Sequence, residues 1–336
     1  MFSKLMKTVM CLLCLAAGAA RAGSILMYHH VSETTPAATS VSPDTFARHL
    51  QLLEDNAFEV VPLTDLVARV AEGLPHDRQV AITFDDGYAS IAEHALPLLD
   101  ARGWKAAIFV SVDQIGGASM MDLDSLRAAA RRGHRILNHG FSHDHMVRQS
   151  VARSVVDVAR AQAFLASHFD SPHYLAWPYG ESSPELERAL ASEGYLAFAQ
   201  HTGAVHADMN WQAIPRIAVN QRYAAWEPLY DKLMALPLPV QASSPASGIT
   251  TDRRPWLELL MPADWDRPLN CFVGGEPVVP LVQRREQGLQ VRLRAAEPLA
   301  PGRHRYTCTA AAQGQRYHWF SWLWMIRDGD QWYAEP

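Results

Sequence analysis

Over residues 23–240 the chain alternates short apolar runs with amphipathic stretches. The apolar runs SILMYHHV, FEVVPL, QVAITF, KAAIFVSV, HRILNH, YLAWPY, YLAFAQ and IPRIAV are each read as a strand. Helix patterns lie between them. SPDTFARHLQLLEDNA offers Ser42 as N-cap and Pro43 for the first turn. DLDSLRAAARRG stops at Gly133 and SPELERALASEG at Gly194, the residue expected just past a helix end. In YASIAEHALPLLDARG, Ile91, Ala95, Leu98 and Leu99 are spaced for one helical face. Seven or eight such strand–helix repeats predict an α/β fold with a parallel sheet closed into a barrel, whose chemistry sits at the carboxyl ends of the strands.

The texture changes after a Pro- and Ser-rich stretch at 236–255. WLELLM, LNCFVGG, LQVRLRA, HRYTCTA and YHWFSWLWMI are short alternating runs of the kind that builds a small all-β sandwich. Alternation sends Trp319, Phe320, Trp322 and Trp324 to both faces of one strand, so most of these rings are expected in the sandwich core. The organisation predicted is a leader at 1–22, a barrel domain at 23–240, a linker at 241–254 and a C-terminal β sandwich at 255–336.

The first residues change the picture of where the chain works. Lys4 and Lys7 precede an apolar stretch, and Ala20-Arg21-Ala22 fits small-x-small cleavage, the pattern of a secretory signal peptide. The apolar stretch is too short to span a bilayer comfortably, and no later segment is long and apolar enough. An exported chain is expected, periplasmic or extracellular, with no integral membrane span after processing. Losing Lys4, Lys7 and Arg21 takes the formal net charge from −5 to −8, which argues against a nucleic-acid partner. Cys11 and Cys14 fall in the leader, leaving Cys271 and Cys308 as a pair expected to form a disulfide in an oxidising compartment.

Candidate chemistry begins at VAITFDDGYAS, where Asp85 and Asp86 stand together at the end of a buried strand. Two carboxylates sharing a partly desolvated site raise each other's pKa unless a cation is present. A bound metal is the simplest remedy. Its other ligands are sought in HRILNHGFSHDHM, also at a strand end. His139 and His143 are four apart, which on a helical turn puts both rings on one side. Two imidazoles and a carboxylate suit a zinc-type site with an open position for water, and His145 is a competing ligand. A third strand-end turn follows in YLAWPYG. The chain has neither the Gly-x-Ser-x-Gly elbow of serine hydrolases nor the His-Glu-x-x-His helix of zinc proteases.

Together these three runs make the region 24–240 resemble the polysaccharide deacetylases, the NodB-like carbohydrate esterase family 4. TFDDG at 83–87 is similar to the first motif of that family, HGFSH at 139–143 to its second and WPYG at 177–180 to the end of its third. The resemblance implies a distorted (β/α) barrel and removal of N-acetyl groups from amino sugars of a polysaccharide with a divalent metal, often zinc. By position it makes Asp86, His139 and His143 the metal ligands, Asp85 the general base and the backbone N–H of Tyr179 an oxyanion donor. For the general acid it points to His201, with His206 as the alternative, and it gives His29 a supporting role beside the metal or base. At Ala176 the third motif usually carries an arginine that orients the catalytic Asp. Its absence is closer to the branch acting on poly-β-1,6-N-acetylglucosamine, and it leaves open a deacetylase fold that merely binds polysaccharide.

Overall fold

The computed structural model describes residues 22–74 and 76–334, so nearly all of the expected leader lies outside the described residues. Eight parallel strands form the first sheet: β1 (Ser24–Tyr28), β2 (Glu59–Val60), β3 (Gln79–Phe84), β4 (Ala106–Val110), β5 (Arg135–Asn138), β6 (Tyr174–Ala176), β7 (Leu196–Phe198) and β8 (Ile217–Ala218). Their order is β8-β1-β3-β4-β5-β6-β7, with β2 beside the start of β3. Ile214, just before β8, bridges Phe198 of β7, which brings the sheet round into the expected barrel. Seven helices cover it: α1 (Pro43–Asp55), α2 (Leu63–Ala71), α3 (Leu96–Asp100), α4 (Leu123–Arg131), α5 (Val151–His168), α6 (Pro184–Ser192) and α7 (Trp226–Leu233).

Local chemistry accounts for the helix boundaries. The side chains of Ser42, Asp122, Ser150 and Ser183 accept from backbone N–H groups in the first turns of α1, α4, α5 and α6. Gly133 and Gly194, past the ends of α4 and α6, are left-handed at φ +94° and +79°. The segment before α3 departs from regular helix. Residues Ile91–Ala95 form a π-turn, next to Pro97, which lacks an N–H to give. Its buried face carries Ile91, Ala95, Leu96 and Leu99, with Leu98 only half-buried. Successive residues of each strand feed two clusters, with Ile25, Ala81 and Phe109 in one and Leu26, Ile82 and Ile108 in the other.

The C-terminal part is a two-sheet sandwich that begins earlier than the pattern predicts. Its strands are β9 (Leu236–Pro237), β10 (Ala242–Ser244), β11 (Ile249–Thr250), β12 (Leu257–Met261), β13 (Asn270–Val273), β14 (Glu276–Val278), β15 (Leu281–Arg285), β16 (Gly288–Leu293), β17 (Gly302–Ala311) and β18 (Tyr317–Ile326). One sheet runs β9-β18-β17-β13-β14 with β11 also on β18, the other β10-β12-β16-β15. The stretch 241–254, expected as a linker, is therefore a working part of both sheets: β10 pairs with β12 and β11 with β18. Cys271 and Cys308 face each other across β13 and β17 and are joined in a disulfide. Trp324 is buried in the sandwich core, with Phe320 and Trp322 packed half-buried against it. The two domains meet directly. Arg305 reaches the Gln200 carbonyl oxygen at 2.8 Å and Arg316 that of Met234 at 2.6 Å, and Arg303 lies 3.1 Å from Glu181. No helix among the described residues is long and apolar enough to cross a membrane.

Candidate active site

The strand pleat explains how two adjacent carboxylates share one barrel mouth without facing each other. Asp85 continues the alternation of Ala81 and Thr83, and its N–H bonds the Tyr28 carbonyl at 2.9 Å. The chain then turns left-handed at Asp86 (φ +69°) and Gly87 (φ +80°), which swings the second carboxylate aside. A Cβ on Gly87 would stand 2.8 Å from Val110 Cγ1, so glycine is required there.

Asp85 is fully buried and forms a two-pronged ion pair with Arg216, at 2.6 and 2.7 Å. Arg216, itself fully buried just before β8, also donates from Nε to the Ala199 carbonyl at 2.9 Å. Burial, the largest single influence, would push the Asp85 carboxyl up, but the Arg216 charge and hydrogen bonds together with the charges of His139 and His29 outweigh it and hold the group below the usual carboxylate range. Arg216 thus holds the carboxylate that the expected third-motif arginine would orient, from a different strand. Ala176 supplies its carbonyl instead, 2.8 Å from His139 Nδ1. A carbonyl only accepts, so Nδ1 carries the proton and Nε2 is the nitrogen aimed at the site.

Asp86 Oδ1 lies 3.2 Å from His139 Nε2 and 3.1 Å from His143 Nε2. These are the three groups that the structure brings together as a possible metal centre. The donor set fits zinc-like coordination: tetrahedral ligands about 2.1 Å from an ion stand roughly 3.4 Å apart. Burial acts to raise Asp86, yet its hydrogen bonds with His139 and His143 keep it well below the ordinary carboxylate range. The histidines do not use the helical turn that their spacing suggested. HGFSH is a loop, with Gly140 at φ +80° and His143 at φ +56°. Asp157 of α5 pins it, accepting from Phe141 N (2.7 Å), Ser142 N (3.2 Å) and Ser142 Oγ (2.7 Å).

Tyr179 is left-handed too, at φ +60°, and its ring centroid is 4.7 Å from that of His143. A non-glycine residue held there costs about 1–3 kcal/mol. Asp86, His143 and Tyr179 all sit at this site, a concentration of strain typical of functional centres. His145 does not join the metal cluster. Its Nδ1 donates to Glu181 at 2.7 Å, and its ring stacks on Tyr179.

The remaining histidines separate cleanly. His29, half-exposed at the end of β1, lowers the pKa of both Asp85 and Asp86 through its charge. The expectation that His201 faces the metal is not met. Burial, then the Arg305 charge, push the His201 imidazole down to about 4, and neither active-site carboxylate acts on it. With the alternative His206, it lines a separate cavity of about 400 Å³ between the domains, reached by Trp319 and Trp322, that includes none of Asp85, Asp86, His139 or His143. His201 lies beyond a strand end, as expected, but its neighbour there is the C-terminal domain.

Four contributors escaped the motif reading. Arg216 had a visible signal, as the one charged residue in the apolar run IPRIAV. Tyr88, directly after TFDDG, is a hydrogen-bond partner of Asp86 and stacks on His30 with centroids 3.5 Å apart. Asp157 and Glu181 had no signal beyond their sequence neighbourhood.

The family model for polysaccharide deacetylases matches residues 73–198. The chain is 26% identical over 199 residues to YxkH of Bacillus subtilis, named as a polysaccharide deacetylase, covering 58% of this chain and 71% of that protein. It is 22% identical over 242 residues to the poly-β-1,6-N-acetyl-D-glucosamine N-deacetylase of Escherichia coli K12, covering 58% of this chain but only 36% of that enzyme. Among solved structures, the Streptococcus pyogenes deacetylase PplD superposes with a TM-score of 0.59 at 21% identity, over 64% of this chain and 99% of that one. At that identity the superposition speaks for the fold.

Proposed function

From the match of residues 73–198 to the polysaccharide deacetylase family model we propose that the chain is an exported, metal-dependent hydrolase of N-acetylated amino sugars in an extracellular or cell-wall polysaccharide. The observation that carries this reading is the convergence of Asp86, His139 and His143 beside a buried, ionised Asp85. A divalent ion such as zinc, held by those three residues, would supply Lewis acidity and a water of lowered pKa. Asp85 is placed to take a proton from the attacking water as the water oxygen adds to the acetyl carbonyl carbon. The N–H of Tyr179 donates to the oxyanion that develops. His29 then gives a proton to the nitrogen as the C–N bond breaks, leaving acetate and a free amine. His29, half-exposed at the carboxyl end of the first strand, is given this role in place of His201, which lines the separate cavity between the domains.

The likeness to the Escherichia coli enzyme supports a β-1,6-linked polymer of N-acetylglucosamine as the first substrate to try. The Cys271–Cys308 disulfide supports an oxidising compartment. The competing reading, a polysaccharide-binding protein without turnover, rested on Ala176. It loses that support because Arg216 engages Asp85. The test is acetate release from β-1,6-linked, chitin-type and peptidoglycan substrates by wild type and Asp85→Asn, each with zinc and after chelation. Metal-dependent release lost in Asp85→Asn is expected. No release from any polymer by zinc-loaded wild type would favour the binding role.

A further inference from the structure

The C-terminal sandwich touches the catalytic turn through one buried carboxylate. Glu181 is fully buried and follows Tyr179 by two residues. It accepts from His145 Nδ1 at 2.7 Å, from Arg303 at 3.1 Å and from the Tyr333 hydroxyl. Burial acts to raise Glu181, but these partners hold it below the ordinary carboxylate range. His145 belongs to the metal-ligand loop, and its ring stacks on Tyr179 with centroids 3.7 Å apart and planes 9° off parallel. Arg303 comes from β17, and its guanidinium carbon stands 5.4 Å from the same Tyr179 ring centroid. Tyr333 follows β18 and is buried beneath Arg148.

We propose that Glu181 is a positioning residue through which the C-terminal domain, by Arg303 and Tyr333, fixes the active-site turn. This rests on the deacetylase reading given above. Tyr179 and Gly180 are consecutive left-handed residues, and a strained non-glycine turn persists only where its surroundings over-determine it. Here the surroundings are Glu181 on the chain itself, the His145 ring, and Arg303 from the other domain. A tether serving only to hold two domains together has no need to converge beside an oxyanion donor. The interface already has such a tether at Arg316, which bonds the Met234 carbonyl. Withdrawing one partner from a buried carboxylate leaves its charge under-compensated, so the turn should relax even though the fold survives.

The experiment compares kcat and KM for acetate release by full-length zinc-loaded wild type, Tyr333→Phe, Arg303→Met and Arg316→Met, with zinc content and melting temperature measured on each. Tyr333→Phe and Arg303→Met are expected to lower kcat by about tenfold or more with KM and zinc content close to wild type and the protein still folded at the assay temperature, since small misplacements at a reacting centre cost rate before binding. Arg316→Met is expected to stay within about twofold in kcat. A smaller fall in Tyr333→Phe, or an equal fall in Arg316→Met, overturns the proposal. Should Arg303→Met fail to fold, Tyr333→Phe decides, because it removes a single hydroxyl. Should wild type release no acetate, the functional reading fails separately. The crystal structure of Tyr333→Phe then decides the positioning role, supported if Tyr179 leaves its left-handed conformation and overturned if it keeps it.

Discussion

Arg216 and Asp85 lie side by side, both fully buried, so each is the main counter-charge of the other. Removing one partner of such a pair typically costs about 3–5 kcal/mol, because the survivor stays buried and unpaired. Arg216→Met should therefore destabilise the barrel by that order in chemical denaturation. It should also move the acid limb of kcat/KM to higher pH, since burial then raises Asp85 against the weaker opposition of His139 and His29 alone. Arg216→Lys should rescue little, lacking the two-pronged geometry. The histidines make an independent pair of predictions. His29→Ala should lower kcat about 100-fold or more, the usual scale for a proton donor, whereas His201→Gln should leave turnover near wild type. His201 carries a different signature. Its folded pKa of about 4 lies below the unfolded value of 6.5, so the unfolded chain binds more protons between those pH values. Stability tied to this group is present above pH 6.5 and is lost as pH falls toward 4. At about 1.4 kcal/mol per pKa unit the loss is at most about 3.5 kcal/mol, and the residue's partial exposure reduces it. His201→Gln should flatten the decline in melting temperature over that window, and an unchanged slope would refute the assignment.

The barrel strands and the N-caps were legible because each is a local property: an apolar run of strand length, a Ser ahead of an amphipathic stretch, a Gly behind one. The π-turn before α3 was less so, since Pro97 shifts the helix register and exchanges Leu98 for Leu96 on the buried face. Strands β9 to β11 were hidden for another reason. They are two or three residues long and exist only by pairing with β12 and β18, whose positions local composition does not report. The metal loop shows how a correct ligand pair can come with a wrong element. His139 and His143 converge on Asp86, but through two left-handed residues and an Asp157 clamp that no spacing rule encodes. Arg216 was overlooked because a charged residue in a strand is usually taken to face solvent, whereas here it points at a partner more than a hundred residues away. The clamp is itself testable. Asp157→Ala removes the acceptor for two backbone N–H groups and the Ser142 hydroxyl, and should weaken metal affinity by about 10–100-fold with the three ligands intact. Isothermal titration with zinc measures it, and an unchanged affinity would mean that the loop holds its shape unaided.

At the level of the whole molecule, all three candidate ligands lie in the barrel and none in the sandwich, so metal binding asks whether the two domains unfold as one. A ligand that binds only the folded state stabilises it by about 2.7 kcal/mol at 100 times its Kd. For a chain of this size that corresponds to a shift of about 5 °C in melting temperature. Were the domains independent, calorimetry would show two transitions, and chelation would lower only that of the barrel. The interface argues otherwise. The β9 strand follows the last barrel helix directly yet pairs with β18 of the sandwich, and Arg303, Arg305, Arg316 and Tyr333 each bond a barrel group. Of these contacts, the ones at Glu181 are fully buried on the barrel side, where a broken partner is costly. A single transition is therefore expected, moved down as a whole by chelator and restored by zinc. Tyr333→Phe offers the sharper comparison. If the clamp at Glu181 transmits metal binding between the domains, this variant should show a broader or split transition whose upper component no longer responds to zinc. A wild type that already melts in two steps, with only one sensitive to metal, would show instead that the sandwich contributes contacts to the site without sharing its stability.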